Sequence, residues 1–158
     1  MNVHFIAIGG SAMHSLALAL STREETRVTG SDDAIFEPSR SHLAAAGLLP
    51  EAEGWFPDRI HAALDAVVLG MHARKNNPEL LRAQELGIPV YSYPEFVQKA
   101  CEAQTRVVVG GSHGKTTTTS MLLHVLQYWD RLPDYLVGAQ VPGLEASVRL
   151  QGQGDWEL

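Results

Sequence analysis

Residues 107–119 read Val-Val-Val-Gly-Gly-Ser-His-Gly-Lys-Thr-Thr-Thr-Thr. The apolar run reads as a buried strand, the glycines as a tight turn, and the residues after them as a helix start. That order builds a phosphate cradle. Backbone N–H groups close around phosphate oxygens, and the helix end adds partial positive charge. Lys115 is spaced to reach the β/γ-phosphates of a nucleoside triphosphate, and Thr116 to offer its hydroxyl to Mg²⁺. The commonest phosphate loop has four residues between its two glycines. Counting back from Gly114 puts Val109 at the first glycine position, so this loop is tighter: Gly111, Ser112, His113, Gly114, Lys115, Thr116, Thr117. Threonine is a middling helix former. Metal ligation by Thr116 and a phosphate contact or cap from Thr117 account for a helix that opens on four of them. The bland alternative is a strand-to-helix turn with an incidental lysine. For His113 two readings stand, a phosphate contact and a loop filler.

The rest of the chain sets the architecture. Val3 to Ile8, Arg27 to Gly30, Ala66 to Met71 and Ile88 to Tyr91 read as short strands. Helical patterns follow them: one through Met13, Leu16, Ala17 and Leu20, one from Pro38 to Ala46 stopping at Gly47, one from Asn77-Pro78-Glu79, and one from Pro94 to about Ala103. Residues 48–58 read as a loop with a short strand, and Ile60 to Leu64 as a helical turn or two. This alternation argues for an α/β fold, a Rossmann-like parallel sheet wrapped by helices. Residues 104–106 look like a junction. Domains are expected at 1–104 and 105–158, the second being the start of a P-loop ATPase domain. Beyond the junction stand the apolar strand at 107–109, a helix from Lys115 to Trp129, one more strand from Asp134 to Gly138, and a tail from Gln151 of loop composition.

Sheets of this kind bind ligands outside the carboxyl ends of their strands. Gly9-Gly10, Ser31-Asp32-Asp33, Met71-His72 and Tyr93 all fall at such ends. The first turn, Ile8-Gly9-Gly10-Ser11-Ala12-Met13, stands where a dinucleotide or a nucleotide-sugar diphosphate sits. Asp32 follows at the distance of an acid that holds a ribose hydroxyl. The dinucleotide pattern G-x-G-x-x-G is not met, because alanine stands at positions 7 and 12. A nicotinamide-dependent oxidoreductase is a rival reading, opposed by the loop at 111–117. A non-catalytic UDP-sugar-binding module is another. His72-Ala73-Arg74-Lys75 reads either as a diphosphate contact or as a solvated basic turn. Trp55-Phe56 reads as a core cap or a uracil contact, and His14 as a packed or surface residue.

Composition excludes several classes. The net charge is -6 and there is no basic tract, which argues against generic nucleic-acid binding. No apolar run approaches the ~18 residues of a membrane span. Cys101 is the single cysteine, so no internal disulfide forms. A cytoplasmic setting fits. The histidines show no paired zinc spacing, and no Ser-His-Asp set has its motif context.

The two glycine turns together resemble the Mur ligases of bacterial cell-wall synthesis. Gly111 to Thr116 is similar to that family's ATP loop, Gly-Ser/Thr-His/Asn-Gly-Lys-Thr. Ala7 to Met13 resembles the G-x-G-G-x-G-M turn of the members that bind UDP-N-acetylmuramate, with two glycines replaced by alanine. Val28-Thr29-Gly30-Ser31-Asp32, Asn77-Pro78-Glu79 and Ile88-Pro89-Val90 also look like those members. The resemblance spans essentially the whole chain.

The resemblance implies ATP- and Mg²⁺-dependent amide formation in peptidoglycan synthesis or recycling. The lactyl carboxylate of UDP-N-acetylmuramate becomes an acyl phosphate, which an amine then attacks. It implies Lys115 and Thr116 as catalytic residues, Thr116 as the metal ligand, and Gly111, Ser112, His113, Gly114, Lys115, Thr116 and Thr117 as the ATP site. It implies Gly9, Gly10, Ser11, Ala12, Met13, Ser31, Asp32 and His72 as the UDP-sugar site. Two amines compete, the tripeptide L-Ala-γ-D-Glu-meso-diaminopimelate and L-alanine. Val137 to Gly143 looks more like the tripeptide ligases. The family's acidic metal-binding stretch and its amine-binding domain are not found in these residues. A fragment without catalytic activity of its own is therefore expected.

Overall fold

The computed structural model describes residues 1–131, 133–144, 146–151 and the backbone of 156–157. The chain forms two compact units that meet between Val97 and Gln98, earlier than the expected boundary at 104/105.

The first unit alternates β1 (Asn2–Ile6), α1 (Ser11–Ser21), β2 (Arg27–Ser31), α2 (Ser39–Ala45), β3 (Ala66–Leu69), α3 (Pro78–Glu85), β4 (Val90–Ser92) and the start of α4 (Tyr93–Ala100). The four strands make one parallel sheet in the order β2-β1-β3-β4. β1 is a central strand, with Val3, Phe5 and Ile6 fully buried. Side chains alternate along a strand, so His4 and Ile6 share one face and Val3 and Phe5 the other. On the His4 side, Ile6 and Val67 pack with Ile60, Leu64, Leu80, Ala83 and Ile88. Burying one such side chain contributes about 1.5–3 kcal/mol.

Local signals explain the helix ends. Asn77 caps α3, its Oδ1 accepting the N–H groups of Glu79 and Leu80, and Pro78 fills the first helical position. α2 stops at Gly47, whose φ is +69°. Two expectations need correction. Residues 48–58 contribute no strand, only a single bridge between Asp32 and Gly54. Ile60 to Leu64 is not helical either. A 3-10 turn at Pro57–Arg59 precedes it, and one hydrogen bond from Leu64 N–H to His61 O closes the segment. Ile60 and Leu64 are core plugs 2% and 8% exposed, which is why their spacing mimics an amphipathic helix.

The second unit holds β5 (Thr105–Arg106), α5 (Lys115–Tyr128), β6 (Tyr135–Leu136), β7 (Val148–Arg149) and β8 (Trp156–Glu157). β5 pairs in parallel with β8, and β6 antiparallel with β7. The strand expected at 107–109 does not form, and Val108 is 87% exposed. A strand of that composition needs ladders on both edges and cover on both faces. Among the described residues β5 has only β8. In the expected loop tail, Trp156–Glu157 is strand, while 152–155 and 158 lie outside the described residues. The strand expected at 134–138 shortens to β6. α5 has 14 residues, about 21 Å of helix. It buries Thr119 and Leu123, the latter against Tyr135 and Val137. Met121, Val125, Tyr128 and Trp129 are exposed. No helix among the described residues is long and apolar enough to cross a membrane.

Candidate functional site

The β1–α1 turn lies at the carboxyl end of the central strand, where β2 and β3 flank it. Ala7 adopts the left-handed conformation, with φ of 68°. Its N–H and that of Ile8 both donate to the Ser31 carbonyl, at 2.9 and 3.1 Å. Gly9 N–H donates to Oδ2 of Asp32 at 2.7 Å. A Cβ on Gly9 would lie 2.9 Å from that oxygen, so glycine is required there by the protein itself. Gly10 differs. Its φ is -59° and a Cβ would meet nothing closer than 3.5 Å. Neither conformation nor packing demands glycine at position 10, a property of a backbone that a ligand must approach. Ser11 and Ala12 are exposed at the opening of α1, and Met13 is buried beneath Gly10.

The neighbouring strand ends frame this turn. Ser31 is fully buried. Asp32 is 6% exposed, and burial, the largest cause, raises its pKa; the Gly9 and Ala34 N–H groups oppose that shift, and Asp33 reinforces it. After β3, Gly70 N–H donates to Ile6 O at 2.9 Å, and a Cβ on Gly70 would lie 2.9 Å from Cβ of Ala7. Met71 and His72 follow in exposed positions.

His14, expected as a packed or surface residue, is packed; its partners, the contacts of Arg59 and the His4–Glu79 pair were not legible in the sequence. His14 is buried, and its Nδ1 lies 3.1 Å from Gly10 O and 3.0 Å from Oγ of Ser39, which ties α2 to the first turn of α1. Nδ1 of His42 lies 3.4 Å from Nε2 of His14. Burial lowers the His14 pKa most, the Gly10 carbonyl raises it, and His42 lowers it further. Arg59 donates to Gly30 O at 3.3 Å and stacks over Phe56 with 4.4 Å to the ring centre. His4 pairs with Glu79 inside the core. These contacts join residues far apart in sequence, and no spacing rule announces them. Among the described residues no cluster of three or more His, Cys, Asp or Glu side chains is spaced to hold a metal ion.

The second glycine turn stands in the other unit. Gly114, with φ of 77°, immediately precedes α5, and Thr118 N–H bonds back to its carbonyl at 2.9 Å. Gly111, Ser112, His113, Gly114, Lys115, Thr116 and Thr117 are all exposed. Nζ of Lys115 folds over the turn, donating to Gly111 O at 2.5 Å and Ser112 O at 3.3 Å. A Cβ on Gly110 or Gly114 would meet nothing within 4 Å. The turn thus offers open backbone, a helix N-terminus and one cation at its mouth. These residues fit a nucleotide phosphate chain, with Thr116 as the hydroxyl beside it.

A parallel sheet with its glycine turn at the β1–α1 crossover defines a nucleotide-binding type of α/β domain. Residues 2–105 match the model of the Mur ligase family, catalytic domain. The chain belongs to the Mur ligase family. It is 34% identical over its whole length to the UDP-N-acetylmuramate–L-alanine ligase of Desulfitobacterium hafniense, covering 34% of that protein. The chain thus spans about a third of the length of such curated relatives. Among solved structures it is similar to a murein peptide ligase from Psychrobacter arcticus, with TM-score 0.81 and 28% identity over 99% of this chain and 36% of that one. It is also similar to the UDP-N-acetylmuramate-alanine ligase MurC from Thermotoga maritima, with TM-score 0.76 and 27% identity over 100% of this chain and 37% of that one.

Proposed function

We propose that this chain is the UDP-N-acetylmuramate-binding part, with the beginning of the ATP-binding part, of a ligase of peptidoglycan synthesis or recycling. One observation carries the reading. Gly10 and Gly110 are glycine where neither φ nor packing requires it, and each lies in a turn that leads into a helix N-terminus able to take an anion. The first turn takes the sugar-linked pyrophosphate on the open amides of α1, with Gly9, Gly10, Ser11 and Ala12 as its frame. His72 stands beyond the neighbouring strand. Bound ATP with Mg²⁺ supplies the phosphoryl group that turns the lactyl carboxylate into an acyl phosphate. Lys115 offsets phosphate charge, Thr116 offers a metal ligand, and the amides from Gly111 to Thr117 hold the phosphate chain.

The incoming amine is the tripeptide L-Ala-γ-D-Glu-meso-diaminopimelate. The Val137–Gly143 stretch and the likeness to the Psychrobacter murein peptide ligase support this choice. L-alanine is the second reading, supported by the identity to alanine ligases. The proposed setting is cytoplasmic.

Thermal unfolding of the 158-residue chain with UDP-N-acetylmuramate and with NADH tests the binding claim. A ligand at 100 times its Kd adds about 2.7 kcal/mol of stability. UDP-N-acetylmuramate is expected to raise the midpoint and NADH to leave it alone. A shift with NADH only would replace the ligase reading by an oxidoreductase one. Release of ADP is expected to be absent with either amine for this chain alone. Turnover with one amine would name the substrate and refute the expected inactivity.

A further inference from the structure

Residue spacing gives Asp32 the task of holding a ribose hydroxyl. The geometry gives it another. Oδ2 accepts the Gly9 N–H at 2.7 Å, and the same carboxylate accepts the Ala34 N–H. The residue is 6% exposed, and its carbonyl accepts Gly54 N–H at 2.6 Å. One side chain therefore joins the β1–α1 turn to the β2–α2 turn, with both of its known donors inside the protein. The amides of Ala7 and Ile8 are held as well, both on Ser31 O. Three successive amides of the glycine turn thus point inward. The first N–H groups with no carbonyl a turn behind them belong to Ser11, Ala12 and Met13, at the start of α1. The His14 N–H already closes on Gly10 O at 2.9 Å.

We propose that Asp32 is a positioning residue: it splints the two turns, aims the α1 amides at the pyrophosphate of a nucleoside-diphosphate ligand, and takes no ribose hydroxyl. The inference rests on the UDP-sugar reading above. It explains why a carboxylate is tolerated beside an anion site. As an acceptor for two amides it fixes the turn, and its charge is partly neutralised by the N–H dipoles it receives. Protonation removes lone-pair capacity from this splint, so binding weakens in acid. The charged groups around Asp32 are Asp33 on the same turn, Arg59 donating to Gly30 O and Ser31 Oγ, and Glu53, which pairs with Arg40 and accepts the Ile35 N–H.

Titration calorimetry of the 158-residue chain with UDP-N-acetylmuramate, and with its 2′-deoxy and 3′-deoxyuridine counterparts, tests the proposal on wild type, Asp32→Asn and Asp32→Ala. Asp32→Asn keeps one carbonyl oxygen for Gly9 N–H and is expected to bind within about tenfold of wild type. Asp32→Ala is expected to lose about tenfold to a hundredfold, the worth of a hydrogen bond to a charged group. Each deoxy ligand is expected to lose the same factor on all three proteins. A deoxy penalty present in wild type and absent in Asp32→Ala would make Asp32 the ribose acceptor and overturn the proposal, as would unchanged binding by Asp32→Ala. The Gly9 amide proton supplies a readout that needs no ligand. Its chemical shift is expected to titrate with Asp32 in wild type and to stay flat in Asp32→Asn; a flat wild-type signal overturns the splint. If wild type binds no UDP-sugar while the Gly9 signal titrates, the functional reading fails and the splint survives.

Discussion

Nε2 of His4 lies 3.4 Å from Oε2 of Glu79, and neither side chain has any exposed surface. The pair sits in a network. Nδ1 of His4 meets Thr29 Oγ1 at 2.8 Å, and Oε1 of Glu79 accepts the Phe56 N–H at 2.7 Å. It connects β1, β2, α3 and the loop at 54–56. Removing one partner leaves buried polar atoms of the other without their match, which costs about 1–3 kcal/mol for each group left unsatisfied. Glu79→Ala is therefore expected to be severely destabilised in urea unfolding. The double variant His4→Leu/Glu79→Leu is expected to lose less than the two single variants together. Additive losses would show that the pair is not coupled.

Acid should weaken the contact between α1 and α2. His14 has a folded pKa below 6.5, chiefly through burial. Below the unfolded value the unfolded chain then binds more protons at this site than the folded one. The His14 contribution to stability is complete above pH 6.5 and is lost as pH falls through the folded pKa. Unfolding midpoints of wild type and His14→Gln, compared between about pH 7.5 and pH 5, are expected to converge as pH falls. A constant gap would exclude His14 as the titrating group.

One substitution in the first turn and one on the neighbouring strand β2 should move stability in opposite directions. Ala7 has φ of 68°, a conformation that costs an L-residue about 1–2 kcal/mol. Ala7→Gly relieves that strain but adds freedom to the unfolded chain. The net expectation is a gain of up to about 1 kcal/mol. Gly30→Ala would place a Cβ 2.6 Å from Cδ1 of Ile8 and 3.0 Å from Phe5 O. A loss of about 1–3 kcal/mol is expected from overpacking. Thermal midpoints of both variants measure this directly.

Lys115 is exposed, and among the described residues its bonds go to carbonyls of its own turn. Lys115→Ala should leave stability within about 0.5 kcal/mol of wild type, as exposed substitutions usually do. Any stabilisation by MgATP should vanish in the same variant. A MgATP shift that persists without the lysine would place the phosphate chain elsewhere.

Much of the first unit was legible in the chain. The apolar runs at Val3–Ile8 and Ala66–Met71 are long enough, and close enough to glycine, to read as parallel strands. Asn77-Pro78-Glu79 marks its helix because the cap and the proline act within one turn. The same logic misread Ile60 to Leu64, where two core contacts imitate helical spacing. It also misread Val107 to Val109, where composition promises a strand and the ladder is lacking among the described residues.

The amino-acid sequence by itself determined the parallel α/β class and the positions of both glycine turns, since strand length, helix caps and glycine conformations are decided within a few residues. Only the tertiary structure decided which amides of the first turn are engaged and which remain open. Asp32 meets Gly9 across 23 residues, His14 meets Ser39 across 25, and His4 meets Glu79 across 75. Such partners are chosen by how strands order in the sheet and how helices pack on it, and chain-local chemistry carries no record of that choice.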